Sequence, residues 1–255
     1  MNLNIKNFIY AGLFCSAVVA VNSCGTEATL DTIAPVTEGA RVKFLHAYQA
    51  GPPLVVFANG KKWSAVLNSI ANGPDSIVYG GIFPLTDYSV LPAGANNFEL
   101  KTTASANPAS AVITSGSLTF ENGKYYTVIV ADTLPNPRLV TITDDRSAVK
   151  SDKKTYLRFV NLVTGGSATG YEFILRRQGA STTLSSLKYG EAGTVIEIDP
   201  YLVGSPNDSI FVRVPGATTN FATINTTTSL SANRLRTFVL RGKPSAVGLN
   251  SITNN

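Results

Sequence analysis

The chain has few of the residue types from which metal centres and nucleophilic sites are built. Its 255 residues include one histidine, His46, and two cysteines, Cys15 and Cys24. A single histidine cannot form a His-rich zinc site, and a cysteine–histidine nucleophile pair would need a free thiol beside it. His46 ends a predicted strand, where a polar residue commonly satisfies loop backbone groups. A Ser-His-Asp triad through His46 is the alternative, and the structural role is preferred. We therefore predict no catalytic residue, no metal and no cofactor, and a protein that is not an enzyme.

Charged side chains are also sparse, and neither sign is clustered. Lysine and arginine exceed acids by 21 to 16, for a net charge of +5, and no run of basic residues is longer than a pair such as Arg176-Arg177. This mild excess does not predict nucleic-acid binding. Asp144 and Asp145, with Asp152 nearby, lack calcium-loop spacing, so a solvated linker is the preferred interpretation.

No apolar run is long enough to span a membrane. The longest, Phe8 to Val21, has fourteen residues, too few for about 30 Å of hydrocarbon, so it is typical of an export signal. The four residues that end it, VNSC, resemble the lipobox of bacterial lipoproteins. That resemblance implies a signal peptide over residues 1–23, diacylglycerol on Cys24, and a membrane anchor in the cell envelope as an outer-membrane lipoprotein. The alternative is a plain secretory signal cut near Ser23, which leaves a free thiol.

Residues 24–39 are rich in Thr, Gly and Pro without apolar periodicity, which predicts a flexible tether. Beyond it the chain repeats itself. RVKFLH from Arg41 matches YLRFVN from Tyr156, and KYYTVIV from Lys124 matches RLRTFVL from Arg234. The charged segment DDRSAVKSDKK lies between the copies. We predict two domains, residues 40–145 and 155–255.

Each copy alternates apolar and polar residues in short blocks separated by turn residues. Asn59-Gly60 and Asn122-Gly123 are the strongest hairpin signals, since tight hairpin turns need positive φ at their central positions. No window has sustained helical spacing. The pattern predicts an all-β fold of two tandem antiparallel β-sandwich domains.

Five segments of the first copy resemble one known family. They are RVKFLHA, VVFANGKK, LPAG, NGKYYTVIV and NPRLVTITDD. Together they are similar to domain of unknown function family 4397, which occurs as tandem immunoglobulin-like or transthyretin-like β-sandwich repeats in exported bacterial proteins. The resemblance supports the fold and implies no particular mechanism.

Candidate ligand contacts are aromatic. Trp63 and Tyr48 could stack on a sugar ring, with Tyr79 and Tyr88 as neighbours, although alternation places Trp63 on the same face as Ala65 and so favours the core. The loops that follow the first strand of each copy, residues 48–53 and 163–170, are the expected binding region.

The pattern Asp-Ser/Thr-aliphatic occurs four times. It resembles an O-glycosylation signal of exported proteins in some Gram-negative bacteria, and it also suits a turn that ends just before a strand. The candidate glycosylated hydroxyls are Thr32, Ser76, Thr133 and Ser209.

These patterns predict a lipid-anchored envelope protein that acts as a non-enzymatic binding, adhesion or structural module. Its partner would be a glycan or an envelope or host protein, on either the periplasmic face or the cell surface. Two alternatives stay open. One is a polysaccharide-active enzyme with paired carboxylates such as Glu99 and Glu191. The other is a passive subunit of an envelope assembly.

Overall fold

The computed structural model describes residues 38–64, 76–102, 111–133, 135–200, 209–225 and 230–254. The predicted signal peptide, Cys24, Thr32 and nearly all of the predicted tether lie outside these residues. Within them the chain forms β-strands, one short 3₁₀ helix at Arg146–Ala148 and no α-helix. The predicted all-β fold is therefore confirmed.

Nine strands come from the first half of the chain and eight from the second, within the described residues. The first nine are β1 Ala40–His46, β2 Leu54–Ala58, β3 Lys61–Lys62, β4 Ile82–Phe83, β5 Ser89–Leu91, β6 Gly94–Thr102, β7 Val112–Phe120, β8 Tyr125–Ala131 and β9 Arg138–Thr143. The other eight are β10 Thr155–Val163, β11 Tyr171–Arg177, β12 Ala180–Leu187, β13 Ile196–Ile198, β14 Ser209–Arg213, β15 Ala222–Asn225, β16 Arg234–Lys243 and β17 Ala246–Thr253.

The strands make four sheets, two from each half. The first inner sheet has the order β4-β1-β8-β9, with β5 also paired to β1, and the first outer sheet has the order β3-β2-β6-β7. The second inner sheet has the order β13-β10-β16-β17, and the second outer sheet β12-β11-β14-β15. The predicted boundary between residues 145 and 155 stays a prediction, although each sheet takes its strands from one side of it.

Both inner sheets are mixed, whereas the sequence predicted antiparallel pairing throughout. In the first inner sheet β1 runs parallel to β8, and in the second β10 runs parallel to β16. The alternation of apolar residues reflects which face of a sheet is buried, and it is the same in parallel and antiparallel strands. It therefore could not predict the parallel pairs. The register is also shared, since Lys43 lies opposite Thr127 and Arg158 lies opposite Thr237.

The two Asn-Gly signals have different outcomes. Asn59 and Gly60 have φ of 52° and 75° and join β2 to β3 in a tight hairpin, as predicted. At the second signal only Gly123 has positive φ, and the turn joins β7 to β8, which belong to different sheets. The hairpin predicted there is wrong. The Asn122 side chain instead accepts a hydrogen bond from the Gly39 backbone nitrogen at 2.6 Å.

The four sheets stack as layers, in the order first outer, first inner, second inner, second outer. Val42 and Phe44 of β1 point into the core of the first sandwich, and Phe159 and Phe238 point into that of the second. A third apolar cluster lies between the two inner sheets, formed by Leu45, Ala47, Ile129, Ala131, Ile142, Val160, Leu162, Val239 and Ile252. The inner sheets are therefore covered on both faces, which explains why β10 is buried at every position.

Candidate functional site

A buried ion pair joins the two inner sheets. Asp144 follows β9 in the first sandwich and Arg158 lies in β10 of the second, and they are 2% and 5% exposed. The Arg158 Nη2 donates to Asp144 Oδ1 and to Thr237 Oγ1, the latter at 2.9 Å. The Arg158 Nη1 donates to the Thr143 carbonyl at 2.6 Å. The interpretation of Asp144 as part of a solvated linker is wrong, because its partner comes from the neighbouring sheet.

Two hydroxyl groups donate hydrogen bonds to the other oxygen of the Asp144 carboxylate. Its Oδ2 accepts from Thr127 Oγ1 at 2.7 Å and from the Tyr88 hydroxyl at 2.9 Å. Asn254 Nδ2 donates to the Tyr88 hydroxyl at 2.8 Å. Burial, reinforced by the Asp144 charge, raises the pKa of the Tyr88 phenol, so this group is a neutral donor at physiological pH.

Lys43 completes this group, which we call the interface network: Lys43, Tyr88, Thr127, Asp144, Arg158, Thr237 and Asn254. The Lys43 Nζ donates to the carbonyls of Thr86 at 2.7 Å and Thr253 at 2.8 Å. It also lies 4.8 Å from the centre of the Tyr88 ring. Burial lowers the pKa of Lys43, and the charges of Asp144 and Asp87 partly oppose that shift. Buried charges are costly unless fully paired, so the network restricts the inner sheets to one relative placement.

A cavity of about 630 Å³ lies beside this network. It forms where β8 and β16 begin, at the end of the inner sheets opposite His46. Its lining includes Tyr125 and Arg146 from the first half and Asn233, Arg234 and Asn254 from the second. We call it the junction cavity. Its volume is typical of small-molecule sites.

Two arginines give the junction cavity a positive charge. The Arg146 guanidinium lies 4.7 Å from the centre of the Tyr125 ring, and the side chain is exposed. Neither Arg146 nor Arg234 forms an ion pair with another described residue. Burial, and to a lesser extent the Arg234 charge, lowers the pKa of neighbouring Arg236. The cavity therefore offers guanidinium and amide donors to a ligand.

The aromatic residues predicted to contact a ligand are built into the first sandwich. Tyr48 is fully buried, so its ring does not face solvent. Trp63 is partly buried and packs edge-on against Phe83 and Phe98, at ring-centre distances of 5.5 and 5.7 Å. Both rings contribute to the core, the role that alternation favoured for Trp63. Of the two candidate neighbours, Tyr88 belongs to the interface network.

His46 is fully buried at the opposite end of the inner sheets. Its Nε2 lies 3.0 Å from the Pro52 carbonyl, and its ring stacks on Tyr48 and meets the edge of Tyr79, each at 6.1 Å between ring centres. Burial lowers the pKa of His46, with a smaller contribution in the same direction from the charge of Arg241. His46 is therefore neutral at physiological pH and bonds to loop backbone, as its position in the sequence predicted.

The acids of the enzymatic alternative serve local structural roles. Glu99 lies in β6 and pairs with Lys101 at 2.9 Å. Glu191, in the second sandwich, accepts from the Lys188 backbone nitrogen at 2.7 Å. Among the described residues no group of three or more His, Cys, Asp or Glu side chains could hold a metal ion. The part of the chain that the structure describes contains no helix able to cross a membrane.

Three of the four candidate glycosylation hydroxyls fall within the described residues. Ser76, Thr133 and Ser209 are each half-buried. Ser209 is the first residue of β14, which agrees with the alternative interpretation that the motif ends a turn just before a strand. Their modification stays a prediction, as does that of Thr32.

Sequence reasoning did not find the arginines of the junction cavity. Arg146 lies in the segment predicted to be a linker, and Arg234 lies in a segment that indicates only the repeat. One signal for the interface network was available, since the alignment pairs two basic residues, Lys43 and Arg158, in the middle of apolar strands. A cation at that position of a strand must have a buried partner.

The profile of a family described as Domain of unknown function (DUF4397) matches residues 40–168, about half of the chain. The chain belongs to this family, as the resemblance predicted. The matched segment contains β1 to β9 and continues through β10 into the second sandwich.

Comparison with characterised proteins adds little further. No curated protein matches the chain. A crystal structure of a candidate cell adhesion protein from Bacteroides uniformis is similar, with 13% identity over 84% of this chain and 97% of that one, and a TM-score of 0.24. A structure described as alpha-glucan binding by a streptococcal virulence factor is also similar. It has 10% identity over 83% of this chain and 96% of that one, and a TM-score of 0.24. At these TM-scores neither likeness carries an argument.

Proposed function

We propose that the protein is a lipid-anchored, non-enzymatic binding module of the bacterial cell envelope, and that the junction cavity is its ligand site. The cavity itself is the observation that carries this proposal. Its volume of about 630 Å³ suits a small ligand, and its walls come from both sandwiches. The interface network holds those walls in place, so a ligand would meet a preformed site.

The chemistry of the lining favours binding over turnover. Its polar side chains are arginine, asparagine and tyrosine, which donate hydrogen bonds at neutral pH. A glycoside hydrolase needs two carboxyl groups facing one bond, and an acyl transferase needs a nucleophile beside a base. Arg146 and Arg234 supply neither function. They can hold a ligand and fix its orientation.

The anchor rests on the residues around Cys24. We propose that Cys24 carries diacylglycerol and that the protein stays on the outer membrane, with a glycan or an envelope protein as its partner. Labelling cells with a radioactive or clickable fatty acid should label the wild type, and Cys24→Ala should be unlabelled and released. An unlabelled wild type would refute the anchor. Protease digestion of intact cells would then separate a surface orientation from a periplasmic one.

Binding and turnover can be separated on one purified protein. Soluble protein starting at residue 25 would be incubated with a panel of polysaccharides, and both retention in affinity gels and release of reducing ends would be measured. We expect retention by at least one glycan and no released ends. Release that is lost on Glu99→Gln or Glu191→Gln would refute the proposal in favour of the enzyme. Absence of any retention would favour a passive assembly subunit.

The Asp-Ser/Thr motifs add a separate proposal, O-glycosylation of Thr32, Ser76, Thr133 or Ser209. The motif alone supports it. Intact-mass and peptide mass spectrometry of protein purified from its native cell should find hexose-bearing peptides. If all four hydroxyls are unmodified, the proposal is rejected, and the motif is explained by its preference for turns that end before a strand.

A further inference from the structure

We infer that the junction cavity binds an acidic saccharide, with the oxyanion of one sugar held between the guanidinium groups of Arg146 and Arg234. This inference rests on the proposed function and names the ligand class of the same site. It follows from three properties of the cavity, which are its unneutralised charge, its hydrogen-bonding geometry and its size.

The charge is the first property. Arg146, in the 3₁₀ helix between the two sandwiches, and Arg234, at the start of β16, line one cavity and form no ion pair with another described residue. Two other arginines of the first sandwich and the inner sheets do have counter-charges: Arg158 binds Asp144, and Arg138 pairs with Asp132 at 2.6 Å. Two unneutralised guanidinium groups at the rim and wall of a cavity attract an anion and raise its local concentration.

The hydrogen-bonding geometry is the second property. Arginine presents its N–H groups as a planar fork, which matches the two oxygens of a carboxylate or sulfate. Arg146 is oriented by its position 4.7 Å from the Tyr125 ring centre, and the edge of Tyr125 meets Tyr88 at 5.0 Å between ring centres. Tyr88 is hydrogen-bonded to Asp144, so the interface network fixes the ring on which Arg146 rests.

The size is the third property. A cavity of about 630 Å³ is far larger than one oxyanion needs, and its remaining wall combines the polar Tyr125, Asn233 and Asn254 with the apolar Val149, Ala232 and Leu235. Asn233 is held by a backbone hydrogen bond to the Lys154 carbonyl at 2.8 Å, which leaves its side-chain amide for a ligand. Asn254 is 1% exposed and uses one Nδ2 hydrogen for Tyr88, so the exposed Asn233 is the amide that a ligand can reach. Such a wall suits hydroxyl groups, so a sugar acid fits the lining better than a bare anion or an apolar carboxylate.

The test compares three oligosaccharide probes of equal length by isothermal titration calorimetry. They are a galacturonate oligomer, a sulfated galactan oligomer and a neutral galactan oligomer. We expect binding of an acidic probe at least tenfold tighter than that of the neutral one, and weakening as salt rises. The preference between the two acidic probes would identify carboxylate or sulfate as the recognised group.

Variants locate the binding. Arg146→Gln and Arg234→Gln should each weaken binding of the acidic probe by about tenfold or more, since each removes a charge-assisted hydrogen bond to the oxyanion. Arg176→Gln is the matched control, because Arg176 is exposed on β11 of the second outer sheet and loses the same charge. It should change the affinity less than twofold. Far-UV circular dichroism would verify that each variant is folded.

Failure of the inference differs from failure of the proposed function. Equal affinity for the neutral probe, or acidic binding that both cavity variants retain, would overturn the acidic-saccharide site and leave a binding module. No binding by any of the three probes would overturn it as well. Hydrolysis of a probe, measured by released reducing ends in the same samples, would overturn the proposed function itself.

Discussion

Replacement of Asp144 by alanine tests the reasoning about the interface most directly. The change removes the acceptor for Arg158, Thr127 and the Tyr88 hydroxyl in one step. It also leaves the Arg158 guanidinium, which is 5% exposed, without its counter-charge. Breaking a buried ion pair by removing one partner costs about 3–5 kcal/mol. We expect Asp144→Ala to lower the free energy of unfolding by that amount.

The double variant Arg158→Met/Asp144→Ala separates the ion pair from general damage. Without an unpaired buried charge it should be less destabilised than the sum of the single variants, with a coupling energy of about 2–3 kcal/mol. Asp152→Ala is the control, because Asp152 is an exposed aspartate of the same segment. It should change the stability by less than about 0.5 kcal/mol.

Urea unfolding can be followed by two signals that report different parts of the molecule. Trp63 is the only tryptophan and packs against the first core, so its fluorescence reports the first sandwich. Far-UV circular dichroism reports all four sheets. The two transitions should coincide in the wild type, because the inner sheets share a buried interface. The reasoning would be refuted if Asp144→Ala lowered the free energy of unfolding by less than about 1 kcal/mol. It would also be refuted if the losses of the two single variants summed to that of the double variant within about 0.5 kcal/mol.

Two further predictions concern positions outside the interface network. Because burial depresses the pKa of His46, the folded state gains stability above the unfolded value of about 6.5 and loses it, by up to about 1.4 kcal/mol per pH unit, as the pH falls. The variant His46→Asn introduces the residue found at the equivalent position of the second sandwich, Asn161. It should make the urea midpoint depend less on pH between 7.5 and 5.5, and an unchanged pH dependence would contradict this role of His46. Gly170→Ala should destabilise more than Gly165→Ala, since both have positive φ but only at Gly170 would the added Cβ meet a backbone atom, the Leu187 carbonyl oxygen at 2.3 Å. Equal thermal midpoints for these two variants would show that the backbone relaxes.

Local patterns in the sequence predicted the local structure. Alternation predicted the strands, and Asn59-Gly60 predicted a hairpin, because both depend on neighbours within a few residues. Asn122-Gly123 has the same letters, yet its chain crosses from one sheet to the next. A dipeptide cannot report which sheet the following strand will join, so this prediction was wrong.

The candidate site depends on contacts between distant residues, and for that reason the sequence did not reveal it. Tyr125, Arg146 and Arg234 meet only because the inner sheets stack face to face. Asp144 appeared to be solvated because its own segment is charged, whereas its burial depends on Arg158 in the neighbouring sheet. The paired positions of Lys43 and Arg158 were the one available clue, and interpreting it required knowing that both strands are covered on both faces.

The hydrogen bond from Lys43 to Thr253 sets a limit on when the molecule can finish folding. It joins β1 to β17, the first and last strands of the described residues, across 210 residues of chain. The β1–β8 pair likewise waits for a strand made late in the first half. Contacts of such long sequence separation form slowly. A chain synthesised from its N-terminus therefore cannot lock the two sandwiches together through this contact until β17 has been made.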